Sequence, residues 1–235
     1  MDKVQIPIQR ATLEFAIIVL GVLAAFAVEN WKDLRAAAVL EAQYVDRLQS
    51  DVVVDIERLN LTIDLAERKN VALREIRTWK AGVDSSERLI ENLRRAIYLG
   101  WSLPNLNTAT IEDLNSTGRL GLLEDADLRR AVLDYYRNLN NVRERLERRM
   151  TPFPNYVYSI MDPELLSDDE NRYAAALKKC EEMCKITIDA AESGEFQRLA
   201  TAEANYGRML VELLPAFTEQ ARELQSQLKD AADFR

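Results

Sequence analysis

The hydrophobic pattern divides the chain into one continuous apolar run and a long amphipathic remainder. From Phe15 to Val28 every side chain is apolar. Ala11, Thr12 and Leu13 extend the run to the lower edge of the roughly 17 to 25 residues that cross a bilayer core. Arg10 before it, and Trp31, Lys32 and Arg35 after it, are the residue types expected at the two headgroup levels, where an indole sits half wet and basic stems snorkel. The pattern therefore predicts a transmembrane anchor over 11–31, preceded by a short tail at 1–10. A cleaved secretory signal is the second reading, since Lys3 and Arg10 form a basic n-region and Ala25-Phe26-Ala27 has the small-x-small form of a cleavage site. Glu14 at the mouth of the run, and helical patterning on through Asn30, Trp31 and Leu34, weigh against it. A soluble core helix is the third reading.

After the anchor, no Gly or Pro occurs between Lys32 and Ala81, and apolar residues recur at Leu48, Val52, Ile56, Leu59, Ile63, Ala66, Leu73 and Ile76. These spacings are threes, fours and one seven, so they describe a helix with one face to bury, closed near Trp79 and Gly82. Asp84 and Glu87 predict a capped second helix with Leu89, Ile90, Leu93 and Ile97 inward, ending at Gly100. Trp101, Leu103 and Pro104 read as a turn. Asn107 or Thr108 can cap a short helix through Leu114 that Gly118 ends, with Leu120, Leu122 and Leu123 packing in the connector. A further helix over about 125–150 carries Leu128, Val132, Tyr135, Leu139, Val142 and Leu146 on one stripe. The mixed charges of 143–149 form its solvent face.

Thr151-Pro152-Phe153-Pro154 breaks the chain, because residues preceding proline avoid the α region. Asp162-Pro163 then reads as N-cap and N1. Ser193-Gly194-Glu195 precedes a last helix bearing Phe196, Leu199, Met209, Leu213, Phe217, Leu224 and Leu228, with a kink expected at Pro215. No strand pattern appears. The predicted fold is all-α: a transmembrane helix over 11–31 continuing into a bundle or coiled-coil-like domain over 32–235, with a break near 151–163.

Composition sharpens this picture. Among 235 residues there are only 7 Gly and 6 Pro, as long helices require. The formal charge of -8 argues against a nucleic-acid partner, because phosphate binding needs a basic face. Histidine is absent, which removes the commonest general base and metal ligand. Cys180 and Cys184, the only cysteines, lie four apart without the further ligands zinc needs, and they read as small packing residues. They leave the compartment open. No cofactor, metal or catalytic set is expected, and an enzyme is disfavoured: Asp125 with Asp127, and Glu181 with Glu182, are ordinary surface pairs.

Within the anchor, Glu14, Gly21 and Ala25 share a helical face, and Gly21 with Ala25 forms a small-xxx-small pair of the kind that lets membrane helices approach closely. Glu14 is paired with Arg10 one turn earlier, or handles protons or ions. Basic residues balance across the run, so orientation rests on a small margin. The reading adopted has a cytoplasmic N-terminus and a periplasmic domain.

Two stretches carry a resemblance. Glu14 through Asn30-Trp31 with central Gly21, followed by Tyr44, Leu48 and Asp51, is one. Leu114-Asn115-Ser116-Thr117-Gly118-Arg119-Leu120, then Leu122-Leu123, Leu128-Arg129 and Tyr135-Tyr136, is the other. Together, over about a third of the chain, they resemble uncharacterised bacterial single-span membrane-anchored proteins defined by a domain of unknown function. The resemblance implies a single-span anchor and a helical domain, and no known activity; the expected location is the bacterial inner membrane.

Three functions are expected in turn. The first is an interaction or scaffold protein whose partners are the bilayer and either a second copy or a membrane protein complex. The second is a sensory domain binding a small ligand near Trp79, Trp101, Tyr135 and Tyr136. The third is an accessory subunit of an ion- or proton-transport complex using Glu14.

Overall fold

The computed structural model describes residues 8–98, 105–148 and 151–233, and among these residues the structure is helical with no strand. The first helix, α1 (Ile8–Thr78), runs 71 residues without interruption, about 107 Å at 1.5 Å per residue. It ends where the sequence predicts. Trp79 donates its N–H to Ile76 O, and Gly82 takes a φ of 72°, which turns the chain back. The helix α2 (Ser86–Tyr98) is capped one residue later than expected. Ser85 Oγ accepts from Arg88 N and donates to Glu87 Oε2, while the Asp84 carboxylate accepts from Lys80 N instead. The predicted turn at Trp101, Leu103 and Pro104, and the stop at Gly100, lie outside the described residues.

The short helix α3 (Ala109–Ser116) begins after Thr108, which makes no side-chain cap bond. Asn107 is used elsewhere, as described below. Gly118 adopts a left-handed φ of 67° and leads into a 3-10 turn, Arg119–Leu122. The helix α4 (Ala126–Glu147) starts at Asp125, whose carboxylate accepts from the N–H groups of Asp127 and Leu128. All six residues of its predicted stripe are buried. The Thr151–Pro154 break opens directly into α5 (Phe153–Ile160), and Asp162 caps a 3-10 turn, Pro163–Leu166, rather than an α-helix. Three short pieces follow: α6 (Glu170–Leu177), α7 (Cys180–Met183) and α8 (Lys185–Ala191). The last helix, α9 (Gly194–Asp233), is 40 residues long and continues through Pro215. In its middle the buried leucines are Leu210 and Leu214, with the expected Met209 and Leu213 only half-buried beside them.

α1 and α9 are packed together and run antiparallel: Lys69 meets Glu203, and farther along Arg222 donates to Asn60 Oδ1 at 3.3 Å. Two apolar cores are strung along this pair. The first gathers Leu48, Val52 and Leu59 of α1, Leu114 of α3, the α4 stripe, and Leu214, Phe217 and Leu228 of α9. Within it the Tyr135 ring stacks on Phe217 at 5.2 Å. The second gathers Leu73 and Ile76 of α1, Leu89 and Leu93 of α2, Phe153 and Val157 of α5, Cys180 and Cys184, and Phe196 and Leu199 of α9.

The two cores do not reach the beginning of α1. Its first buried side chain is Glu41, so the helix stands free of the bundle over everything described before Leu40.

Candidate functional site

The free end of α1 is long and apolar enough to cross a membrane, and none of its apolar window is buried within the chain. Phe15, Ile18, Leu20 and Phe26 are each more than 60% exposed. Such a surface is unfavourable in water. Gly21 has open space where a Cβ would stand, so nothing in the chain's own fold asks for a small residue there. At 100° per residue, Gly21 and Ala25 point about 100 to 180° away from Tyr44, Val45, Leu48 and Val52, which face the first core. The small-residue face is thus turned away from the bundle. Glu14 and Arg10 belong to the helical backbone of α1, and their side chains lie outside the described residues. Trp31 is exposed, with the Arg35 guanidinium 5.7 Å from its ring centre. Lys32 and Arg35 line a shallow apolar hollow on α1 with Trp31, Val39 and Leu40. Trp31, Lys32 and Arg35, three of the four expected anchors, therefore form one patch where the bare helix meets the bundle, while Arg10 stands at the other end of the run.

Comparison with family models, curated proteins and solved structures gives no match for this chain. Functional chemistry must be sought in the side chains themselves.

Between the two cores lies a buried ion pair, Lys69 Nζ to Glu203 Oε1 at 2.7 Å, with side chains 1% and 0% exposed. The Thr151 hydroxyl donates to the other oxygen of Glu203. Burial pulls the Lys69 ammonium down to about 8, against the opposing pull of Glu203.

A second polar set fastens the connector before α4 to α1. Asp55 is fully buried and accepts from Asn107 N at 2.8 Å and Tyr135 Oη at 2.9 Å. Asp51 accepts from Thr110 Oγ1 at 2.5 Å, and its backbone oxygen accepts from Asn107 Nδ2. Desolvation holds the Asp55 carboxyl above its ordinary range, with the neighbouring Asp51 charge adding to it. Burial likewise raises both the Tyr135 and Tyr136 hydroxyls, and the Tyr136 hydroxyl has no hydrogen-bond partner. Toward the bare end of α1, Tyr44 donates to Asp113 Oδ2 and accepts from Arg119, while Glu41 accepts from Glu124 N. These carboxylates act as clamps. Each is occupied by a structural hydrogen bond.

The aromatic residues proposed for a ligand pocket are not brought together. Tyr135 and Tyr136 belong to the first core, Trp79 packs against the second, and Trp101 lies outside the described residues. An open groove of about 750 Å³ does lie between α1, α2 and α6, with Arg68, Arg94, Arg95 and Tyr173 on its walls. Its arginines already hold carboxylates: Asp64 for Arg68, Glu170 for Arg94 and Glu91 for Arg95. Asp125 caps α4 and Asp127 is exposed, as are Glu181 and Glu182. No group of three or more His, Cys, Asp or Glu is placed to hold a metal among the described residues.

Cys180 and Cys184 depart from expectation. They are buried in the second core, as packing residues would be, but they are also joined in a disulfide.

The polar groups missed from the sequence left one trace. Lys69 sits three residues after Ala66 and four before Leu73, the seven-residue gap in the α1 stripe, and Asp55 sits likewise between Val52 and Leu59. A polar residue in phase with an apolar stripe was the available signal.

Proposed function

We propose that this chain is a membrane-anchored helical interaction protein that self-associates, or docks on a membrane protein complex, through the face of α1 bearing Glu14, Gly21 and Ala25. The observation that carries the reading is the bare end of α1. A fully exposed apolar helix is collinear with a packed one, and its small residues are turned away from the bundle. Lipid satisfies the large apolar side chains, and close helix approach at Gly21 and Ala25 supplies packing that lipid does not. Lys32, Arg35 and Trp31 hold the headgroup level. Under this reading the chain belongs with the bacterial single-span helical proteins that its Glu14–Trp31 and Leu114–Leu120 stretches resemble, in the inner membrane. The Cys180–Cys184 disulfide supports an oxidising, periplasmic side for the bundle.

Two measurements test this. In alkaline carbonate the intact chain is expected to stay with the membrane pellet; release into the supernatant, or a mature form beginning near Val28, overturns the anchor. In mild detergent, chemical cross-linking is expected to give a dimer or a complex that Gly21→Ile with Ala25→Ile abolishes. Both positions are free within the chain, so this variant keeps its helical spectrum. Cross-linked species unchanged by it would remove the assigned face.

A further inference from the structure

The stretch Glu170–Ala191 contains no glycine or proline and is rich in Ala, Glu and Lys. Such a sequence favours one continuous helix. The chain instead makes three pieces, α6, α7 and α8, interrupted at Lys178–Lys179 and at Cys184. The interruptions flank the disulfide. In a regular α-helix, residues four apart have Cα atoms about 6.2 Å apart, from the 1.5 Å rise and 2.3 Å radius. Those of Cys180 and Cys184 are 4.8 Å apart. The bridge and a regular helix are therefore exclusive at this place.

Little else stands between the two forms. Lys178 and Cys184 keep near-helical backbone angles, and Lys179, at φ -103° and ψ 23°, is the one junction residue outside the helical region. The buried residues Tyr173, Ala176, Cys180, Cys184, Thr187 and Ala191 are spaced 3, 4, 4, 3 and 4 apart. On one unbroken helix they would share a stripe within about 80°. A straight helix would thus bury the same face against the same core.

We infer that Cys180 and Cys184 form a redox modification site, served by a thiol–disulfide oxidoreductase, whose state decides whether 170–191 is broken or continuous. In reduction, a thiolate of the partner attacks one Sγ, and the Sγ–Sγ bond breaks with its electron pair leaving on the other sulfur. A second partner thiol resolves the mixed disulfide. The partner's two thiols become one disulfide, and two electrons with two protons end on Cys180 and Cys184. Oxidation runs the same exchange backwards. Since both sulfurs are buried, exchange proceeds through local opening of α6–α8.

The test uses the full chain in mild detergent, oxidised with oxidised glutathione or reduced with a phosphine. Alkylation in denaturant, read by intact mass, is expected to find no free thiol in the first sample and two in the second. Hydrogen–deuterium exchange of peptides spanning 176–190 is expected to slow about tenfold on reduction, as regular helical bonding is restored across Lys179, whose N–H now reaches only Ala176 O. Re-oxidation restores it. Cys180→Ala with Cys184→Ala should match the reduced chain and ignore the reductant; if that variant does not fold, the reversible wild-type comparison decides alone. Two thiols that never pair under oxidant, or exchange that is unchanged or faster on reduction, overturns the inference.

Discussion

Lys69 sits where two apolar cores would otherwise touch, with its ammonium on one oxygen of Glu203 while Thr151 donates to the other. Lys69→Met leaves the Glu203 carboxylate buried without its cation, so a loss of about 3–5 kcal/mol is expected in urea unfolding. Adding Glu203→Leu is expected to return most of it. The pH dependence has a definite sign. Below about 8 the amine is protonated in folded and unfolded chains alike; from there to its ordinary 10.5 only the unfolded chain keeps the proton. Stability therefore rises with pH across that window, until ionisation of tyrosines reverses it. Tyr206, raised by burial to about 12, is one of them, because it stays protonated in the fold after it has ionised in the unfolded chain. Urea midpoints at pH 8 and 9.5 are expected to differ for the wild type and to converge in Lys69→Met. The adjacent tyrosines give a sharper contrast. Tyr135→Phe strips Asp55 of a donor and is expected to cost about 1–3 kcal/mol, whereas Tyr136→Phe removes an unpartnered hydroxyl and is expected to cost almost nothing. At this scale little was legible. Asp55, Lys69 and Glu203 occupy stripe positions in phase with Val52, Ala66 and Leu199, but a lone polar residue in a stripe does not name its partner.

Helices themselves were easier to read. The α4 stripe is buried at each predicted position because nothing interrupts its spacing from Leu128 to Leu146. In α9 the phase slipped by one, from Leu210 and Leu214 to Met209 and Leu213, since Glu203, Tyr206 and Gly207 fill the stretch between Leu199 and Leu210 and carry no plain apolar marker. The segment 170–191 could not be read correctly, because its breaks flank a cross-link rather than a breaker residue. Gly118 was legible as a helix stop, and its φ of 67° explains why. Gly118→Ala meets open space but an unfavourable backbone, so a loss of about 1 kcal/mol is expected, visible as a lower melting temperature.

Across the whole molecule, an all-helical chain with one apolar end was plain in composition and pattern, and the structure repeats it among the described residues. The division into two cores was not legible, because it depends on α9 returning antiparallel along α1, and residues such as Lys69 and Glu203 are far apart in sequence. The same division says which part of the chain folding does without. No side chain described before Glu41 is fully buried, so a chain starting at Lys32 is expected to remain in aqueous solution with an unchanged urea midpoint. Loss of cooperative unfolding in that variant would mean that the apolar end contributes to the cores. One mechanical result follows from α1 having no proline and, within its 71 residues, a glycine only at position 21. It is a shaft without a joint. With no hinge residue past Gly21 to absorb it, a twist forced on its greasy tip is passed along the helix toward the clamps of Asp51, Asp55 and Lys69.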